Sequence, residues 1–198
     1  MSKKRTLILC QRSFLKNRFD MKILGIDPGL DRTGWAVVSK NRSGQLVLLA
    51  SGLIHTPAKM PLEKRLVAIY DELTDIIQSN SPDEVAIEEV FFSKRADTQA
   101  NTTHARGVIL LACEKNGLKI NGYNPKIIKK TVSGNGLAQK PQMQRMVQLL
   151  LRLDEVLQPD DTADAAAAAI CHLRMGPYKA IMEKTREKLK CLRTSGAK

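Results

Sequence analysis

The 198-residue sequence holds only four cysteines and three histidines, and no two of them sit at metal-ligand spacing. Cys10, Cys113, Cys171 and Cys191 are scattered, as are His55, His104 and His172. That dispersion excludes a zinc site built on close Cys and His pairs, and equally a dense disulfide framework. The cysteines read as free thiols in a reducing compartment, and all seven residues as packing or surface positions. Long apolar runs are missing too. Val108–Cys113 and Ala165–Cys171 fall far short of the ~20 residues that span a bilayer, so no membrane anchor is expected. Lys3, Lys4 and Arg5 precede the apolar run Leu7–Cys10, which is too short for the core of a signal peptide. A cytoplasmic protein follows from these absences. Internal repeats and low-complexity linkers are lacking as well, and a hydrophobic content of 43% in a chain of this length fits one compact domain.

The net charge is +12, and its placement says more than its size. Residues 1–20 and residues 176–198 each carry +5, which leaves +2 for everything between. Within that centre, residues 88–145 hold ten basic and four acidic side chains, whereas 154–164 hold five acids and no base. A polyanion-binding surface beside an acidic pocket would have this separation. The two tails taken alone read as solvated chain.

Met21 is followed at once by an apolar stretch, so residues 1–20 read as a disordered basic extension and the fold is expected to start near Met21. Lys22–Asp27, Gly34–Lys40 and Gln45–His55 are rich in Val, Ile and Leu and are separated by Asp27-Pro28-Gly29 and Asn41-Arg42-Ser43-Gly44. This pattern predicts three antiparallel strands. From Pro61 to Ser79, Leu62, Leu66, Ile69, Leu73 and Ile76 recur at steps of four and three, the mark of an amphipathic helix. Asp83–Val90 and Leu118–Tyr123 read as strands flanking a helix at Ala96–Asn116, so the second half of the sheet is expected to be parallel. Helices at Gln142–Leu153 and Thr162–Arg174 complete an α/β domain over 21–175, a mixed five-stranded sheet flanked by helices, with 176–198 as a basic C-terminal tail.

Three features bring acids to element ends. Asp27 closes the first strand, Glu88 follows the apolar Val85-Ala86-Ile87, and Asp161 and Asp164 share one face of a helix start. Each has an ordinary explanation alone, because Asp before Pro-Gly is turn chemistry and acids in a first helical turn favour the dipole by ~0.3–1 kcal/mol. Asp160 is read in that way. Together the four imply something else, since carboxylates around one pocket repel unless a hard cation neutralises them. Ligands that are all oxygen point to Mg2+ or Mn2+. Two such ions ~3.5–4 Å apart stabilise both the attacking and the leaving oxygen in phosphodiester cleavage. Lys126, Lys129, Lys130 and Lys140, between Glu88 and the acidic helix, supply a counter-surface for phosphates.

Five blocks carry a family resemblance over nearly all of 21–175: Lys22–Leu30, Ala86–Phe92, Ala105–Val108, Lys129 through Lys140, and Asp161–Asp164 with the Ala-rich run to His172. In order and spacing they resemble the RuvC resolvases, which act on Holliday junctions. The resemblance implies a ribonuclease H-like fold, a homodimer, and paired nicks on symmetry-related strands of a four-way junction in recombination and repair. It implies that Asp27, Glu88, Asp161 and Asp164 bind the catalytic metals, Mg2+ with Mn2+ as an alternative and two ions per site. It also implies that Lys140 is the catalytic lysine, that Lys129 contacts DNA, and that Phe91 stacks on junction bases. The RuvA–RuvB branch-migration complex is the partner the family suggests. Ser93-Lys94-Arg95, Gln99–Thr103 and Pro141 depart from the family's pattern. The YqgF-like nucleases share the early Gly-Asp-Pro-Gly-like turn, but the Ala105–Val108 and Lys129–Lys140 blocks argue against them. An actin-like ATPase would need a second lobe for which 198 residues leave no room.

Overall fold

Alternating apolar residues at the start of the fold divide its core into two layers. In the computed structural model, which describes residues 19–89 and 96–176, β1 (Phe19–Asp27) lies at the centre of a five-stranded sheet. Phe91, the stretch before Phe19 and the tail after residue 176 therefore lie outside the described residues. The strand order is β3-β2-β1-β4-β5. β2 (Arg32–Asn41) and β3 (Leu46–His55) run antiparallel to their neighbours, while β4 (Glu84–Glu88) and β5 (Lys119–Tyr123) are parallel to β1. The expected mixed sheet is thus present, and β1 begins two residues ahead of Met21. The β2–β3 turn is fixed by Asn41, whose Oδ1 accepts from Gln45 N at 2.9 Å and from Ser43 Oγ at 2.7 Å. These Asx bonds close the turn expected at Asn41–Gly44.

On one face Leu24, Ile26, Val37, Val85 and Ile87 pack under α1 (Leu62–Asn80) and α2 (Ala96–Lys115). On the other, Ile23, Ala36, Val38 and Ala86 meet α3 (Pro125–Ser133), α4 (Lys140–Leu151) and a fifth helix, α5, over residues 160–176. Burying an Ile or Leu of this kind contributes ~1.5–3 kcal/mol, so two full layers hold a domain of this size.

Two details differ from the pattern in the sequence. The buried line of α1 runs through Arg65, Ile69, Leu73 and Ile77, and Leu62 is 39% exposed. Arg65 belongs in the core because its fork is satisfied there. It donates to Thr56 Oγ1 and to the Thr56 carbonyl, both at 3.0 Å, and pairs with Asp31. A buried guanidinium whose Nε and Nη2 have such partners is tolerated where an unpaired one would not be. The second difference is α3, which was not anticipated. Its signals are Asn124, whose Oδ1 caps Lys126 N at 2.9 Å, Pro125 in the first turn, and Gly134 at the C-cap with φ of 78°. Only Ile128 and Val132 are buried, so nine residues offer too short a periodicity to stand out. Among the described residues no helix is long and apolar enough to cross a membrane.

Candidate active site

Side chains alternate along a strand, so Asp27 shares the face of Ile23 and Gly25, and Glu88 that of Ala86. Both therefore point to the side covered by α3, α4 and α5. Register does the rest, because the parallel pairing of Ile26 with Ile87 carries Asp27 and Glu88 to the same end of neighbouring strands.

The acidic helix reaches them through small residues. A Cβ on Gly25 would stand 1.9 Å from the Ala165 carbonyl oxygen and 2.9 Å from Ala169 N; one on Gly34 would stand 2.1 Å from the Asp161 carbonyl oxygen. Asp161, Ala165 and Ala169 are spaced by four and form one stripe. The absent side chains on β1 and β2 let the α5 backbone lie almost on the sheet, with Asp161 and Asp164 at its upper end. A second anchor works further along α5. Tyr123 Oη and His172 Nδ1 are hydrogen-bonded at 2.7 Å, and His172 Nε2 stands 3.3 Å from Glu84 Oε2, which also accepts from Asn121 Nδ2 at 2.7 Å. His172 is thus buried and hydrogen-bonded, whereas His55 is exposed at the end of β3. Cys113 and Cys171 are buried thiols outside any disulfide, and burial pushes Cys113 up to about 12, so it is not a nucleophile.

Electrostatics mark the strand ends as overloaded with negative charge. Burial holds the Asp27 carboxyl well above its usual range, and Glu88, Asp164 and Asp161 push it further, against Lys140. Glu88 is raised to about 7 by burial and by Asp164, opposed by Lys129 and Lys140. Asp164 is raised by burial and lowered by Lys140, with burial dominant. Among the described residues no cation is within ion-pair distance of Asp27 or Glu88.

The other acids are partly neutralised. Lys140 Nζ stands 2.6 Å from Asp160 Oδ2 and 3.4 Å from Asp164 Oδ2, which raises the lysine through its hydrogen bond to Asp160 and lowers Asp160. Lys140 is the first residue of α4, where a cation opposes the dipole by ~0.3–1 kcal/mol. Its place there suits the acids and not its own helix. Pro141, next to it, is harmless in a first turn. Arg32, which nothing in the sequence had marked, donates from Nε to Asp161 Oδ2 at 2.7 Å and reaches Asp160 Oδ1 from Nη2 at 3.2 Å. The sequence offers no more than a cation five residues past Asp27, across a tight turn, while the contact with Asp161 spans 129 residues. Among the described residues no three acidic, cysteine or histidine side chains already form a closed metal cage, and Arg32 and Lys140 lie among the acids instead. The donor set is nevertheless one a hard cation fits, since it is all carboxylate and carries uncompensated charge.

Of the seven residues singled out in the sequence, the structure brings together Asp27, Glu88, Asp161, Asp164 and Lys140, and sets Lys129 near enough to Glu88 to lower its pKa. Phe91 lies outside the described residues.

The family described as crossover junction endodeoxyribonuclease RuvC matches residues 23–172. A protein of that description from Caldicellulosiruptor saccharolyticus is 43% identical over 153 residues, covering 77% of this chain and 92% of the relative. One from Chloroflexus aurantiacus is 45% identical over 157 residues, covering 79% and 95%. This chain belongs to the RuvC family. The structure of Thermus thermophilus RuvC in complex with Holliday junction substrate superposes with a TM-score of 0.73 at 31% identity, covering 79% of this chain and 96% of that one. The RuvC fold is ribonuclease H-like, as expected, and the matched stretch spans all five strands apart from the start of β1.

Proposed function

We propose that this RuvC protein is a Holliday-junction resolvase, a structure-selective DNA endonuclease that makes paired nicks on symmetry-related strands. The observation that carries the reading is the gathering of buried carboxylates at the ends of β1 and β4, where burial first and the neighbouring acids second raise Asp27 well above its usual range and Glu88 to about 7. Surplus negative charge in a site that must approach a phosphate makes sense only if divalent cations balance it.

In this reading Asp27, Glu88, Asp161 and Asp164 hold two Mg2+ ions, with Mn2+ able to replace them. When bound, the ions supply Lewis-acid stabilisation of the attacking and leaving oxygens. The chain's own residues do the remainder. β1 and β4 fix two carboxylates at the ends of adjacent inner strands, and the Gly25 and Gly34 contacts fix the helix that carries the other two. Lys140, tethered in the free protein by Asp160 and Asp164, is placed to balance charge growing on the phosphate oxygens as water adds. Hydrolysis breaks the bond between phosphorus and the 3′ oxygen, leaving a 3′-hydroxyl and a 5′-phosphate. Lys129 holds a neighbouring phosphate, and Phe91 stacks on unpaired junction bases.

Two cuts related by symmetry require two active sites, so the working form is a homodimer, and the branch-migration complex RuvA–RuvB is the partner that would deliver its substrate in the cytoplasm. The nuclease domain spans 21–175 together with Phe19 and Asp20, which open β1, and is preceded by a dispensable basic extension and followed by a basic tail. The deciding experiment incubates the full chain with a synthetic four-way junction and a matched linear duplex, with and without Mg2+. Cleavage of the junction alone, and only with metal, is expected. Equal cleavage of the duplex, or cutting in excess chelator, would overturn the reading.

A further inference from the structure

The cation on Asp161 is a residue of β2. Arg32 Nε donates to Asp161 Oδ2 at 2.7 Å, and Nη2 stands 2.5 Å from the same oxygen and 3.2 Å from Asp160 Oδ1. The guanidinium keeps its positive charge at every accessible pH. It claims one oxygen of a carboxylate that the proposed metal binding needs. A divalent ion arriving at Asp161 meets a positive charge already seated there. The two cations repel, and one must move.

Arg32 is the one able to move. Its side chain is 44% exposed at the beginning of β2, and an ion pair so open to water contributes little to stability. Asp160, outside the proposed ligand set, gives it a second foothold on the same helix turn, and Asp160 also holds Lys140 at 2.6 Å. Asp160 thereby keeps two cations at the rim of the site. The incoming strand offers Arg32 a better-matched partner, because Nε and Nη2 here crowd onto the single Oδ2 of Asp161, whereas a phosphate presents two oxygens that accept parallel bonds from the fork.

We propose that Arg32 is a positioning residue that occupies Asp161 in the DNA-free protein and releases it when its guanidinium transfers to a DNA phosphate, so that metal loading and DNA binding promote one another. The inference rests on the assignment of Asp161 as a metal ligand. Coupling of this kind is reciprocal: if DNA draws Arg32 off Asp161 and tightens metal binding, bound metal tightens DNA binding by the same factor.

The test uses Mn2+ alone as the probe, counted by loss of the free-ion paramagnetic resonance signal, with the full chain and no DNA. Arg32→Gln should bind Mn2+ about fivefold more tightly than the parent, ~1 kcal/mol at 1.4 kcal/mol per tenfold. Arg32→Ala should match it, since charge and not chain length is at issue. In gel shifts on a four-way junction in Ca2+, the same variants should lose affinity, and the slope of log affinity against log salt should fall by about one. Asp161→Asn should weaken Mn2+ binding. Parental Mn2+ affinity in both Arg32 variants, with Asp161→Asn weakened, overturns the inference and leaves the metal assignment standing. An unchanged salt slope overturns the phosphate transfer. Parental Mn2+ affinity in Asp161→Asn overturns the assignment itself, and the inference with it.

Discussion

Glu88→Gln should destroy nicking and at the same time stabilise the metal-free protein, and the second effect can be worked out from the structure. Glu88 is raised from 4.5 to about 7, chiefly by burial and next by Asp164. A folded-state value above the unfolded one means that the folded protein holds the proton more tightly. Stability is therefore undiminished below about pH 4.5, falls as pH rises toward 7, and levels off above it. At ~1.36 kcal/mol per pH unit, the full penalty is on the order of 3 kcal/mol at pH 8. The amide of Gln has the same shape and no charge, so it escapes that penalty. For a domain of this size ~1 kcal/mol moves Tm by ~2–4 °C, so Glu88→Gln should melt several degrees above the parent at pH 8 in chelator. The gain should shrink to little at pH 5. Added Mg2+ should raise the parent's Tm and leave that of Glu88→Gln nearly unmoved, since the cation removes the same penalty. The assay is thermal melting at pH 5 and 8, in chelator and in Mg2+, beside junction nicking. If the variant melts with the parent at pH 8, or gains as much at pH 5 as at pH 8, the site does not store the charge strain assigned to it.

Asp161→Asn should abolish nicking while junction binding in Ca2+ persists or rises, whereas Asp160→Asn, outside the ligand set, should retain most nicking; near-normal cutting by Asp161→Asn would shift its role to Asp164. Gly34→Ala places a Cβ 2.1 Å from the Asp161 carbonyl oxygen and should lower stability by ~1–3 kcal/mol, with a loss of nicking larger than the loss of folded protein explains, measured by denaturant titration beside specific activity. Phe91→Ala should impair junction processing with melting unchanged, because a core role would cost ~3–5 kcal/mol on truncation and show at once in the melting curve.

Much of this site was legible because its parts obey short-range rules. Asp27 before Pro28-Gly29 and Glu88 after Val85-Ala86-Ile87 are strand ends by composition alone, and period two then sets both side chains on one face. Asp161 and Asp164 are neighbours by helical spacing. What escaped was long-range or faint. Arg32 meets Asp161 across 129 residues, and no local pattern announces that contact. Arg65 broke the apolar stripe of α1 because Thr56 and Asp31, on other elements, satisfy its guanidinium. α3 had a cap, a proline and a closing glycine but only two buried side chains to give it a period.

Gly25 and Gly34 show why the site's charge and its packing belong to one design. A helix carrying two acids is repelled by two acids on the strands beneath it, and in chelator Lys140, with Lys129 at Glu88, only partly offsets that repulsion. Separation would relieve it at once. The helix stays because Ala165 through Ala169 are essentially fully buried against the sheet, and because Tyr123 and His172 tie its further end to β5. Small residues give up side-chain area but gain close backbone approach, so the contact is short and hard to shear. Widening it with a larger side chain at position 25 or 34 would lower the repulsion and spread the acids, which loosens the metal site in the same motion. The loss of catalysis in Gly34→Ala should therefore not be restored by a compensating gain in stability from a substitution away from the site that leaves its carboxylates and lysines in place.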